Sequence, residues 1–182
     1  MQVMISINPP YTDMIFSGYK PYEFRKRVLK GMDEWYPPEE IIAYIYETKN
    51  KGGAGAVIGE VKIAGSYTPN YGKDSETDTF VVERNECIKS LYLRWCESKH
   101  IKPNMKEGWF KSKRFLHYLE EIGFGPKLDF NYALILDNPR KYEVSLPLNN
   151  FRNTKGETLA RPPQNMFRVA RKNTNQIEGA DQ

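Results

Sequence analysis

Apolar and polar residues alternate at the start of the chain and predict a strand over residues 3–7. Asn8 and two prolines then end this strand, because proline cannot continue a β-ladder. Residues 11–17 place apolar side chains on one helical face and are followed by Gly18. This pattern predicts a short helix of two turns at most, with a glycine stop.

Further strands follow, with a change of period between them. They are predicted at residues 22–27, 40–48, 56–63, 132–136, 142–146 and 167–169. The segment at 40–48 is apolar on both faces, which is typical of a central strand. Gly59 indicates a bulge or a close backbone approach. The Asp137-Asn138-Pro139 sequence predicts a turn between two strands.

Helical periodicity lies between the early and the late strands. Apolar side chains recur at i, i+3, i+4, i+7 and i+8 over residues 81–99, and a second helix is predicted at about 107–123. About six short strands, a short early helix and a two-helix insertion predict an α+β domain with a curved or closed sheet. We expect the domain to span residues 2–170, followed by a disordered tail at 171–182.

Composition is that of a soluble globular protein. The 182 residues are 40% apolar and 27% charged, and the mean hydropathy is -0.67. No apolar run is long enough to cross a membrane and no secretory signal is visible, so we expect a cytoplasmic protein with no membrane partner. In that setting Cys87 and Cys96 would be free thiols.

Positive charge is concentrated at the two ends of the chain. The net charge is +4, with +3 in residues 1–30, −3 in residues 31–139 and +4 in residues 140–182. If the ends meet in space, they would form an anion-binding face; otherwise the split is a chance one.

The helical region carries two cysteines and two histidines, which are the residue types that bind zinc. These are Cys87, Cys96, His100 and His117. No Cys-x-x-Cys pair is present, and only Cys96 and His100 have a sensible spacing on a helix. We therefore expect no metal site and no cofactor.

The densest polar cluster is the segment at 20–27. On a strand, Glu23, Arg25 and Arg27 project to one side, and Tyr22, Phe24 and Lys26 to the other. One interpretation is a solvated edge strand with weak ion pairs. The other is a site in which arginine forks bind phosphate beside a stabilised carboxylate.

Several short motifs occur in one order along the chain. They are Ile5-Ser6-Ile7-Asn8-Pro9, Ile15-Phe16-Ser17-Gly18-Tyr19-Lys20, Glu23-Phe24-Arg25-Lys26-Arg27, Tyr46-Glu47-Thr48, Gly59-Glu60-Val61, Tyr132-Ala133-Leu134 and Pro162-Pro163-Gln164. In this order they resemble the ASCH domain family of the PUA-like superfamily, over roughly residues 2–170. The resemblance implies a small, partly open β-barrel with a cleft beside the first helix.

The resemblance implies two kinds of function. ASCH domains are similar to PUA domains, which bind RNA; some relatives are amidohydrolases of acylated cytidine that use a lysine, a threonine and a glutamate, and others are ribonucleases. Lys20 matches the lysine, but Glu23 replaces the threonine, which removes the hydroxyl nucleophile. The family's glutamate has no clear counterpart, with Glu83 and Glu86 as candidates.

The same residues suit either function. As an enzyme, the protein would use Lys20 as base or nucleophile and Glu23 to position water, with a hydroxyl from Tyr46 or Thr48. As a binding protein, it would place cations on phosphate and stack a tyrosine on a base. The predicted ligand-binding residues are Lys20, Tyr22, Glu23, Arg25, Lys26, Tyr46, Thr48 and Arg168.

The C-terminal segment is a further candidate surface. Its basic residues are Arg161, Arg168, Arg171 and Lys172, and Gln164 and Asn165 could read base edges. The alternative is a basic tail that only aids solubility. Altogether the sequence predicts an RNA- or nucleotide-binding protein with a basic cleft. A hydrolase is the second possibility, and a protein-interaction module that exposes Trp95, Trp109 and Phe110 is the third.

Overall fold

Most strands of this chain belong to one sheet. The computed structural model describes residues 1–30, 32, 40–67, 86–105, 112–121 and 132–171. The strands in these ranges are β1 (Gln2–Ile7), β2 (Tyr22–Arg25), β3 (Ile41–Glu47), β4 (Ala56–Tyr67), β5 (Tyr132–Leu146), β6 (Phe151–Arg152), β7 (Met166–Arg168) and β8 (Ala170–Arg171). The helices are α1 (Tyr11–Phe16), α2 (Glu86–Ser98) and α3 (Lys113–Glu121). Six of these strands form one sheet in the order β2-β5-β4-β3-β1-β7, and β6 and β8 form a separate small sheet.

The middle of the sheet is apolar on both faces, as predicted for β3. β1 and β3 run parallel, and β3 also pairs with β4 in antiparallel fashion. Alternate residues enter two cores, with Val3 and Ile45 in one and Met4 and Tyr44 in the other. Burial on both faces therefore fixes the register of β1 and β3, because a slip by one residue would exchange the two cores.

The sheet curls until its two end strands approach each other. β2 and β7 are at opposite ends of the strand order, yet Asn165, next to β7, donates from Nδ2 to the carbonyl of Arg27 at 3.0 Å. Arg168 in β7 likewise donates to the carbonyl of Lys30 at 3.3 Å. The predicted α+β fold with a partly open barrel is confirmed, and we call the gap between β2 and β7 the seam.

The first and last strands of the sheet are neighbours. β7 pairs with β1 in antiparallel fashion, with Val3 opposite Arg168. The two charged parts of the chain, residues 1–30 and 140–182, therefore meet in space where β1 pairs with β7.

The predicted turn at residues 137–139 is wrong. β5 runs through it as one strand of 15 residues, and the extra residues are absorbed by shifts of register against β4. Asn138 adopts a positive φ of 49° at this point, a conformation that asparagine tolerates better than most residues. A bulge in a continuous strand therefore takes the place of the turn that the sequence pattern predicted.

Other boundaries differ by a few residues. β4 continues to Tyr67 and β2 ends at Arg25. The predicted helix segments at 81–85, 107–111 and 122–123 and the predicted tail at 172–182 lie outside the described residues.

The inserted helices bury an aromatic cluster. Trp95 is 3% exposed, and its Nε1 donates to Glu121 Oε2 at 2.7 Å. The rings of Tyr92 and Tyr118 pack against it. Because Trp95 is buried, it does not favour the interaction-module hypothesis, and Trp109 and Phe110 lie outside the described residues.

Among the described residues, no helix is both long enough and apolar enough to cross a bilayer.

Gly59 lies where α1 packs closest to the sheet, and the predicted bulge and close approach are both present. The register of β3 and β4 shifts next to it, and a Cβ at Gly59 would lie 2.4 Å from the carbonyl oxygen of Arg140 and 2.5 Å from Cζ of Phe16. Only a residue without a side chain fits between this backbone and this ring.

We expect Gly59→Ala to lower the free energy of unfolding by about 1–3 kcal/mol, since the added methyl overpacks the site. Urea unfolding followed by circular dichroism measures this loss. In a Phe16→Leu background the additional loss should be smaller, because one of the two clashing groups is reduced. A loss below about 0.5 kcal/mol, the range of neutral surface changes, would contradict the prediction.

Candidate functional site

Three charged side chains form a row beside the seam. Glu23 Oε2 lies 3.2 Å from Lys20 Nζ, and Glu23 Oε1 lies 3.0 Å from Arg25 NH2. Lys20 is 4% exposed and Glu23 is 8% exposed. The period of two along β2 places Glu23 and Arg25 on one face, as the sequence predicted. The row carries two positive charges and one negative, so it keeps a net charge of +1.

Lys20 is held from several sides. Gly18, at a φ of 75°, turns the chain after α1 so that the amide of Lys20 donates to the carbonyl of Met14 at 2.8 Å. The ammonium group donates to the carbonyl of Tyr22 at 2.8 Å and lies 4.6 Å from the centroid of the Phe24 ring. With Glu23 as a further partner, the ammonium is surrounded by protein groups, as a buried cation requires.

Arg25 crosses the seam. Its NH2 donates to the carbonyl of Ser6 in β1 at 2.7 Å, and its NH1 donates to Oδ1 of Asn165 at 3.2 Å. Ser6 in turn donates from Oγ to the carbonyl of Pro163 at 2.7 Å. The guanidinium is therefore fixed by groups from both sides of the open barrel. Its Nε is buried and has no hydrogen-bond partner among the described residues.

A cleft of about 770 Å³ opens in front of Arg25. It lies where β1 and β3 end, since parallel strands bring their carboxyl ends to the same edge of a sheet. Asn8 follows β1, and residues 48–50 follow β3. The wall opposite these strand ends is the segment at 160–164.

The lining of the cleft carries positive charge only. Of the described residues that line it, the charged ones are Arg25 and Lys49. Glu47 lies nearby but is not part of the lining, because its carboxylate accepts hydrogen bonds from Thr12 Oγ1 at 2.5 Å and from the amide of Ala54 at 2.8 Å. An anion in the cleft would thus meet two cations and no carboxylate among these residues.

Polar groups at the rim are joined to one another. Asn8 Oδ1 accepts hydrogen bonds from the Thr48 hydroxyl and from Asn50 Nδ2. The amide of Thr48 donates to the carbonyl of Ile7 at 3.0 Å, which ties the two strand ends together. The rim therefore presents fixed amides and a hydroxyl to a ligand.

The predicted site residues divide into four groups. Those that line the cleft are Arg25, Tyr46 and Thr48. Lys20 and Glu23 are buried in the row next to Arg25 and do not line the cleft. Tyr22 is half-buried and Lys26 is exposed, both outside the lining. Arg168 is exposed and lines a neighbouring groove.

Tyr46 lines the cleft, but little of its ring is exposed there. It is 4% exposed and belongs to the same core as Met4 and Val57. Stacking of a base on this ring would need more exposed surface than it offers.

Sequence reasoning missed the residues that follow β1 and β3. Asn8, Lys49 and Asn50 line the cleft, but the alternating pattern identifies strands and does not say which ones run side by side. Polar residues directly after two strands were the available signal. Recognising it required knowing that β1 and β3 are parallel neighbours.

No cysteine or histidine belongs to the lining of this cleft where the structure describes it. Cys96 is a buried free thiol in α2, the ring centroid of His117 lies 6.4 Å from that of Trp95, and His100 is exposed. The side chain of Cys87 lies outside the described residues.

Comparison with known proteins gives similar folds. No family model and no curated protein matches the sequence. The structure is similar to the crystal structure of an ASCH protein from Zymomonas mobilis, with a TM-score of 0.49 and 16% identity over 97% of this chain and 91% of that chain. Two single-substitution variants of that protein give TM-scores of 0.47, with 16% and 17% identity, over 97% of this chain and 94% and 92% of theirs. ASCH is also the family that the sequence motifs resemble.

We expect Glu23→Gln to lower the free energy of unfolding by about 3–5 kcal/mol. Without the carboxylate, the buried cation of Lys20 and the half-buried cation of Arg25 lose the opposite charge that they share. Thermal and urea unfolding at pH 7 measure the loss.

Glu40→Gln is the matched control for this substitution. Glu40 pairs with Lys62 at 3.5 Å, but the two side chains are 64% and 43% exposed. Removing that exposed pair should cost less than about 1 kcal/mol. Equal losses at the two positions would contradict the view that burial makes the charge row matter.

Proposed function

We propose that this protein binds a nucleotide, free or as part of a single-stranded RNA, in the cleft at the carboxyl ends of β1 and β3. The observation that carries the proposal is the charge of the lining: Arg25 and Lys49 are its cations, and no carboxylate accompanies them in the described part of the chain. A nucleotide combines an anionic phosphate with a polar base, and the cleft offers groups for both.

Arg25 is suited to phosphate because its position is set in advance. Its NH2 donates to Ser6 and pairs with Glu23, and its NH1 donates to Asn165, which leaves one N–H of NH1 for a ligand, since Nε is buried. Lys20 balances the charge of Glu23, so Glu23 orients Arg25 without cancelling its charge. A preorganised arginine loses less entropy on binding phosphate than a free surface side chain.

Side-chain amides would bind the base. Asn8, Asn50 and Gln164 line the cleft, and each amide carries both donors and acceptors. Base edges also carry both, so amides that line the cleft can distinguish one base from another. This combination of phosphate contact and edge readout is how proteins recognise single-stranded RNA.

The hydrolase hypothesis has less support from the contacts. Glu23 stands where the amidohydrolase pattern has its threonine, and its carboxylate is engaged by Lys20 and Arg25. Lys20 is 4% exposed and does not line the cleft. A nucleophile or base must reach the substrate, so these contacts favour binding over turnover.

Fluorescence anisotropy with a labelled uridylate octanucleotide and with a random single-stranded RNA pool tests the proposal. Arg25→Lys should weaken binding by about 1–3 kcal/mol, which is about 5- to 150-fold, because lysine keeps the charge but loses the guanidinium contacts to Ser6 and Asn165 that hold the cation in place. Wild-type affinity should also fall as salt rises. Absence of salt-dependent binding to either probe would overturn the proposal.

Lys26→Gln is the control, since it removes a charge next to Arg25 in sequence but outside the cleft lining. It should change affinity less than about twofold, within the screened range of surface charges. The same RNA, together with an acylated cytidine, is analysed by mass spectrometry after incubation. Cleavage or deacylation that Lys20→Met abolishes would favour the hydrolase instead.

A further inference from the structure

A second groove adjoins the cleft along the 160–164 segment. Its volume is about 830 Å³, and its charged lining residues are Arg161 and Arg168. As in the cleft, no carboxylate belongs to the lining where the structure describes it. The two hollows therefore share one sign of charge.

The wall between the two hollows is a single pass of chain. Ala160, Pro162, Pro163 and Gln164 line both of them. The two prolines restrict the backbone, and the carbonyl of Pro163 accepts the hydrogen bond from Ser6. The wall is thus a fixed ridge, and a ligand that fills the cleft needs to cross only this ridge to reach the second groove.

The ridge is attached to the charge row. Asn165, at the end of the ridge, accepts a hydrogen bond from Arg25 and donates one to the carbonyl of Arg27. It also lines the second groove. Asn165 therefore contacts Arg25, which lines the cleft, and is itself part of the lining of the second groove.

The second groove supplies what the cleft lacks. Phe167 is half-buried and lines the groove, whereas the ring of Tyr46 in the cleft is almost fully buried. An aromatic ring and arginines that line one groove are the residue types that bind single-stranded nucleic acid through stacking and phosphate contact.

We infer that the second groove binds the nucleotide adjacent to the one in the cleft, so that the ligand is an RNA strand of at least two nucleotides lying across the ridge. This inference rests on the proposed function. It gives the cleft the role of reading one base and the groove the role of stacking the next.

The test compares uridine monophosphate, the uridylyl dinucleotide and a uridylate tetranucleotide, by isothermal titration calorimetry on the full chain. Wild type should bind the dinucleotide about tenfold or more tightly than the monophosphate, as stacking of one further base implies. The double variant Arg161→Gln/Arg168→Gln and the single variant Phe167→Leu should lose most of this gain. Their affinity for the monophosphate should stay within about twofold of wild type, since these residues do not line the cleft.

The double variant Arg152→Gln/Lys155→Gln is the matched control. It removes two charges from exposed residues near the groove that do not line it, and it should keep the gain. Circular dichroism confirms that each variant is folded before binding is compared.

The outcomes separate the two proposals. Binding of the monophosphate with no gain for the dinucleotide overturns the inference and leaves the proposed function standing. The inference is also overturned if the control variant loses the dinucleotide gain as fully as the groove variants do. The same holds if the groove variants bind the monophosphate more weakly than wild type. If no probe binds at all, the proposed function itself fails.

Discussion

The row of Lys20, Glu23 and Arg25, in which Lys20 and Glu23 are buried, is the constraint on which the rest of the site depends. A lone buried carboxylate or a lone buried cation would be costly, so each member needs its neighbour. The alternation of charges satisfies this need and leaves one positive charge over. Arg25 reaches across the open barrel to Ser6 and Asn165. Together with the hydrogen bonds of Asn165 and Arg168, it joins the two sides of the seam, and it supplies one of the two cations of the cleft. Its contacts therefore link stability to binding.

The topology explains why the cleft lies where it does. A parallel pair inside a mostly antiparallel sheet brings the ends of β1 and β3 to one edge, and short polar segments follow both strands. The antiparallel pairing of β7 with β1 then places the ridge at 160–164 over this edge. The early and the late parts of the chain, which carry the excess positive charge, therefore form the two walls of one site. Charge patterning along the sequence and chain topology lead to the same surface.

Local patterns predicted much of this fold, because strands and helices are defined by nearby residues. The central position of β3 followed from its apolar faces, and the shared side of Glu23 and Arg25 followed from the period of two. The continuous β5 was missed because the Asn138 bulge depends on its pairing with β4, which no local pattern reveals. The burial of Lys20 was likewise beyond the sequence, since a lysine beside charged residues usually remains in solvent. The site could be predicted as a set of residue types, but its division into a lining and a supporting row required the tertiary contacts.

The central claim is that Arg25 is held in place before any ligand arrives and then contacts the phosphate. Nitrogen-15 NMR of the arginine side chains tests it directly, with the Arg25 Nε signal assigned from the spectrum of Arg25→Lys. We expect a resolved, slowly exchanging Nε signal in the free protein, because this atom is buried, and a saturable shift of that signal on addition of uridine monophosphate but not of uridine. An Arg25 signal that is averaged with those of the exposed arginines, or that does not move while the monophosphate binds, would contradict the account.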